Sequence, residues 1–146
     1  MQSVTSTWYE CAAKYARTTE EGSQKTVTET YVVEAGSFTE AEEMIIKEMT
    51  PFTSGDLEIK KISPMTLSEV FFSNNDADDK WFKCKLTFIT TDEKSSKEKR
   101  SAYSYLVQAA SLPTALDYVV EEMKNTMIDY LTSNISETKI MNVIRR

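Results

Sequence analysis

The stretch Trp8-Tyr9-Glu10-Cys11 returns as Trp81-Phe82-Lys83-Cys84, and Tyr15 returns as Phe88, all at a shift of 73 residues. At a shift of 74, Tyr31, Val33, Ala35, Ser37 and Ala41 fall on Tyr105, Val107, Ala109, Ser111 and Ala115, and Glu48-Met49 falls on Glu122-Met123. Near the ends Leu57, Lys61 and Ile62 match Ile135, Lys139 and Ile140 at a shift of 78. Solenoid units run about 20 to 50 residues, so a period this long reads as a duplicated half-domain. The one-residue slip falls in a polar loop, where insertions are tolerated.

Each half has a readable periodicity. Tyr9, Cys11, Ala13 and Tyr15 alternate with Trp8, Glu10, Ala12 and Lys14, and Phe82, Cys84, Leu86 and Phe88 alternate with Trp81, Lys83, Lys85 and Thr87. Period two with one apolar set describes a strand with one core face. Residues 20–23 and 93–96 have the composition of hairpin loops. Second strands follow at about 25–34 and 100–108, rich in Thr, Tyr and Val.

Helices come next. Ser37 with Glu40, or Thr39 with Glu42, offers a capping box, and Phe38, Ala41, Ile45 and Met49 share a face before Thr50-Pro51 stops the run. In the second half Ser111 caps and Pro113 sits harmlessly in the first turn. There Leu112, Ala115, Val119, Met123, Met127 and Tyr130 continue one face to about residue 134, predicting a longer second helix. Closing strands are expected at 57–62 and 138–144.

The expected fold is therefore α+β: two copies of β-β-α-β, about 7–63 and 80–144, joined by a connector at 64–79 in one domain of 146 residues. A pseudo-twofold axis would relate two mainly antiparallel three-stranded sheets, or one six-stranded sheet, with two helices. The first strand of each half should lie centrally, between its hairpin partner and the strand after the helix. A ferredoxin-like arrangement with an extra leading strand is the alternative. In the connector, residues 65–72 read as an added edge strand or short turn, and 73–79 as a solvated link.

The chain has no histidine. That removes the usual general base, the usual partner of Ser or Cys nucleophiles and the commonest zinc ligand, so no catalytic residue, metal or cofactor is expected. Cys11 and Cys84 alternate in phase with core aromatics and read as buried thiols. Asn74, Asp76 and Asp78 occupy positions one, three and five of a calcium loop. Asp79 stands where the turn glycine belongs and Lys85 where the bidentate glutamate belongs, so the segment reads as a polar linker. The acidic residues of both helices fall opposite the apolar stripes, as solvated exteriors do.

A net charge of −6 opposes generic binding to duplex nucleic acid or anionic membranes. No apolar run approaches the roughly 18–20 residues of a membrane helix, and the polar start MQSVTST lacks the form of a secretory signal; a cytoplasmic protein is expected.

The candidate binding face is the side of the sheets that the helices leave open. Trp8, Trp81, Lys14, Lys83 and Lys85 point that way by alternation, with Thr28, Thr30, Val32 and Leu106. Indoles for stacking and lysines for phosphates make a platform for single-stranded nucleic acid. The competing reading places both indoles at a seam between the halves or at a homodimer or other protein contact. The hairpin 94–100, with Lys94, Lys97, Lys99 and Arg100, is a second basic element, or a soluble turn.

In combination, W-[YF]-x-C with its following aromatic, YVVEAGSFTEAE, ISPMTLSEVFF, KWFKCKLTFIT and SETKIMNVI resemble a family of uncharacterised domains found in Bacteroidetes chromosomes and in their phages, including crAss-like phages. The resemblance spans essentially the whole chain. It implies a bacterial or phage cytoplasmic setting and carries over no catalytic residue. The expected function is a non-enzymatic binding module, or alternatively a protein-interaction or homodimerisation module.

Overall fold

The computed structural model describes residues 1–146 and has nine strands and two helices in an α+β arrangement. In chain order these are β1 (Gln2–Val4), β2 (Trp8–Thr18), β3 (Gln24–Glu34), α1 (Phe38–Met49), β4 (Glu58–Met65), β5 (Glu69–Phe72), β6 (Lys80–Thr91), β7 (Glu98–Ala109), α2 (Leu112–Glu122), β8 (Asp129–Glu137) and β9 (Ile140–Ile144). A short 3-10 turn, Thr50–Phe52, follows α1 at the expected Thr50-Pro51 stop.

The chain forms two compact units. Unit I comprises Ser6–Thr66 and Lys139–Arg146; unit II comprises Met1–Thr5 and Leu67–Thr138. Unit I carries the sheet β4-β2-β3-β9 and helix α1, and unit II the sheet β1-β5-β7-β6-β8 and helix α2. As expected, β2 lies between β3 and β4, and β6 between β7 and β8. The hairpins pair in register through tight polar loops: Gly22 takes a positive φ of 84° in one and Ser96 of 56° in the other.

The two registers coincide in detail. Cys11 lies opposite Tyr31 on one side and Ile62 on the other; Cys84 lies opposite Tyr105 and Ile135. One step further the outer strand bulges at Lys60 in unit I and at Ser133 in unit II, between Ala12/Ala13 and between Lys85/Leu86. An extra residue there bends the outer strand and increases its local twist.

Four expectations need correction. The closing strand of unit II is β8, so the equivalent of Ile62 is Ile135 and not Ile140. Helix α2 ends at Glu122 and is one residue shorter than α1, with 11 residues against 12. Met127 is 97% exposed and Tyr130 belongs to β8. The helical spacing of Met123, Met127 and Tyr130 competes with the strand-favouring composition of residues 130–135, rich in Tyr, Leu, Thr and Ile, and pairing with β6 decides for the strand. The sheets are mixed: β9 runs parallel to β3, and β5 parallel to β7, because each arrives by a crossover and not through a hairpin. Finally, β5 is an interior strand, flanked by β1 and β7.

Each helix buries one stripe on its own sheet. Ala41, Ile45 and Met49 join Tyr9, Cys11, Ala13, Tyr15 and Val33; Ala115, Val119 and Met123 join Phe82, Cys84, Leu86, Tyr105 and Val107. Ser37 Oγ accepts from Glu40 N–H at 3.1 Å and Ser111 Oγ from Thr114 N–H at 3.3 Å, the caps the sequence indicates. No helix is long and apolar enough to cross a membrane.

Candidate functional site

On the helix-free side of unit II, the alternation of β6 that sends Cys84 and Leu86 into the core sends Lys83 and Lys85 outward. Both are exposed, and neither forms an ion pair. Ser104 lies opposite Lys85 on β7, while Ser136 and Asn134 lie opposite Lys83 and Lys85 on β8. The five side chains line a groove of about 320 Å³. Two free ammonium groups beside hydroxyl and amide donors form a surface that accepts anions.

Unit I presents a different face at the same register. Glu10 stands where Lys83 stands and pairs with Lys61 at 3.2 Å; Ala12 stands where Lys85 stands. Lys14, half-buried, lies between Thr28 and Glu58. Lys83 and Lys85 thus come together, whereas Lys14 belongs to the other unit's face.

The tryptophans do not offer stacking surfaces. Trp8 is 1% exposed and Trp81 is 2% exposed, and Phe72 packs edge-on to Trp81 with ring centroids 5.5 Å apart. Their neighbours on that face, Val32 and Leu106, are fully buried as well. The helix-free faces are thus closed at their Trp ends, and the accessible part of the expected platform is its lysines.

The two thiols are inert. Burial pushes Cys11 up to about 11, helped by the charge of Glu10, and burial alone takes Cys84 to about 11, so neither is a thiolate at neutral pH. The calcium-like segment has another use. Asp78 is buried and accepts from the Ser73 hydroxyl, from Tyr118 Oη at 2.6 Å and from the Ala110 N–H at 2.9 Å. Burial alone raises its pKa, but the three hydrogen bonds outweigh that and hold it below the ordinary carboxylate value. Asp78 is thus a tie that seats α2, and not part of a solvated link. No three carboxylate or thiol side chains cluster as metal ligands do.

A second site went unread in the sequence. Glu29 lies on the core face of β3, in phase with Val27, Tyr31 and Val33, and is only 8% exposed. Tyr15 Oη donates to Glu29 Oε1, Tyr31 Oη lies 3.4 Å from the same oxygen, and Arg17 Nη1 approaches Oε2 at 3.6 Å. Burial, followed by interactions with Glu29, raises the pKa of both phenols, so both stay protonated as donors. The cluster lines a cavity of about 450 Å³ with Met49, Phe52 and Met141. The readable signal was a carboxylate in the inward phase of a strand otherwise apolar on that side.

The equivalent cavity of unit II, about 480 Å³, has Phe88 in place of Tyr15, Tyr103 in place of Glu29 and Thr90 in place of Arg17. Phe88 and Tyr103 meet edge to face at 5.5 Å, and no carboxylate is present.

Residues 7–146 match the family described as Domain of unknown function (DUF4494). The chain belongs to the DUF4494 family. No curated protein and no solved structure matches it.

Proposed function

We propose that this DUF4494 chain is a non-enzymatic binding module, descended from duplication of a β-β-α-β unit, that holds the phosphate backbone of single-stranded nucleic acid on the helix-free face of unit II. The observation that carries the reading is the pair of exposed, unpaired ammonium groups, Lys83 and Lys85, in a groove with Ser104, Asn134 and Ser136. The matching registers and bulges of the two units support the duplication. The absence of histidine and of a thiolate supports a binder over an enzyme. The resemblance to domains of Bacteroidetes and their phages supports a cytoplasmic setting.

With the indoles buried, bases are not stacked on them, and affinity rests on phosphate contacts. Binding is then weak, indifferent to base sequence and salt-dependent. Anisotropy of a labelled oligothymidine titrated with protein tests this. Two phosphate contacts predict a slope of log K against log salt near −1.4. Lys83→Glu with Lys85→Glu should abolish binding and leave folding intact, because both side chains are exposed. Unchanged binding by the double variant would exclude this face.

Homodimerisation is the second reading, favoured by one observation: β8 is an outer strand of its sheet and carries the exposed Leu131. Light scattering separates the two readings, since a dimer that dissociates on Leu131→Lys assigns that edge to a partner chain.

A further inference from the structure

We propose that unit I contains a small-molecule site for an organic cation, an ammonium or guanidinium group on an apolar body, seated against Glu29. The argument begins with charge. A carboxylate as buried as Glu29, at 8% exposure, is unfavourable without a countercharge. Its two phenol partners are neutral donors and supply none. The one cation at hand, Arg17, stands off at 3.6 Å on a side chain that is 61% exposed. An ion pair so open to water is worth little.

The space matches the charge. The cavity, about 450 Å³, lies in the range of small-ligand sites. Its walls offer both kinds of contact an organic cation needs: the rings of Tyr15 and Tyr31 and the thioethers of Met49 and Met141 line the cavity with the carboxylate, and Thr18, Gln24 and Ser54 add polar groups. Phe52 and Met141, 68% and 49% exposed, leave apolar surface that a ligand's body would cover. A bound cation would take the place of the Arg17 guanidinium on Oε2 while the tyrosine hydroxyls keep Oε1. The equivalent cavity in unit II has similar volume but Tyr103 in place of the carboxylate, so the same ligand should discriminate between the two.

Amide shifts of the 146-residue chain in two-dimensional NMR, titrated with phenethylamine and with the uncharged 2-phenylethanol, test the proposal. Phenethylamine should shift amides of residues 15–18 and 29–31 and bind at least about tenfold more tightly than the alcohol, as expected for a buried charge contact. Glu29→Gln should reduce the amine to the alcohol's affinity. Arg17→Gln should tighten the amine several-fold, because it removes the competing guanidinium; a purely structural Glu29–Arg17 contact predicts no such gain. Should Glu29→Gln fail to fold, the Arg17→Gln comparison still decides. Equal binding of amine and alcohol, shifts confined to other residues, no shift at millimolar amine, or no tightening in Arg17→Gln would each overturn the assignment.

Discussion

Unit I and unit II share a backbone plan and differ in chemistry at three equivalent places. The first is the amide just before each N-cap. Gly36 N–H is held at 2.9 Å by Glu40, a carboxylate on the helix itself that also grips Arg146; Ala110 N–H is held at 2.9 Å by Asp78, a buried carboxylate brought in from the connector. The second is the helix-free face, compensated by Glu10–Lys61 in unit I and left positive by Lys83 and Lys85 in unit II. The third is the cavity on the core side of the sheet, carboxylate-based around Glu29 and aromatic around Tyr103. The lesson is that two units can share strand register, bulge and cap geometry while the side chains placed on them differ. The shared backbone plan determines where sites can form, and the side chains determine what they do.

The largest expected effect separates the two carboxylate clamps. Asp78→Ala removes the partner of a partly buried amide and two hydroxyls and should cost about 2–3 kcal/mol in urea unfolding. Glu40→Gln, half-buried and able to keep a hydrogen bond, should cost visibly less; equal losses would erase the distinction. The same pair can be followed in acid. A carboxyl held below its ordinary value stabilises the fold above that value and stops doing so as pH falls through its folded pKa. Glu40, taken down to about 2 by Arg146 and the Gly36 amide, and Asp78, lowered by its three donors, both act in this direction. Urea midpoints measured from pH 6 down to 2 should fall less steeply in Asp78→Asn than in the parent chain.

Next in size is a test of likeness between the units. Cys11→Ser and Cys84→Ser each bury a hydroxyl in an apolar cluster and should each cost about 1–3 kcal/mol, with similar values for the two. Widely different costs would show that the matched registers hide unlike surroundings. Both thiols should also stay unreactive to a disulfide reagent at neutral pH until the chain unfolds.

The smallest effect transplants a face. Glu10→Lys breaks a surface pair worth about 0.5 kcal/mol or less. It also sets a second free cation beside Lys61, so oligothymidine affinity should rise modestly. No gain would mean that the groove of Ser104, Asn134 and Ser136, and not charge alone, makes the unit II face.

Much of this architecture was legible because it is local. Alternation placed Cys11 and Cys84 in their cores, Ser37 and Ser111 capped where a hydroxyl precedes an apolar stripe, and Lys83 and Lys85 faced outward because period two leaves them no other choice. Tertiary structure alone decided what depends on distant partners. Pairing with β6 made a strand of residues that shared a helical spacing, and long crossovers brought β5 and β9 in parallel. Burial withdrew Trp8 and Trp81 from any ligand, and the fold gathered Glu29 with Tyr15 and Arg17 across a hairpin. The physical reason is one of range: periodicity and capping act within a few residues, whereas strand neighbours, burial and the pairing of a charge are settled only when segments remote in the chain compete for the same surface.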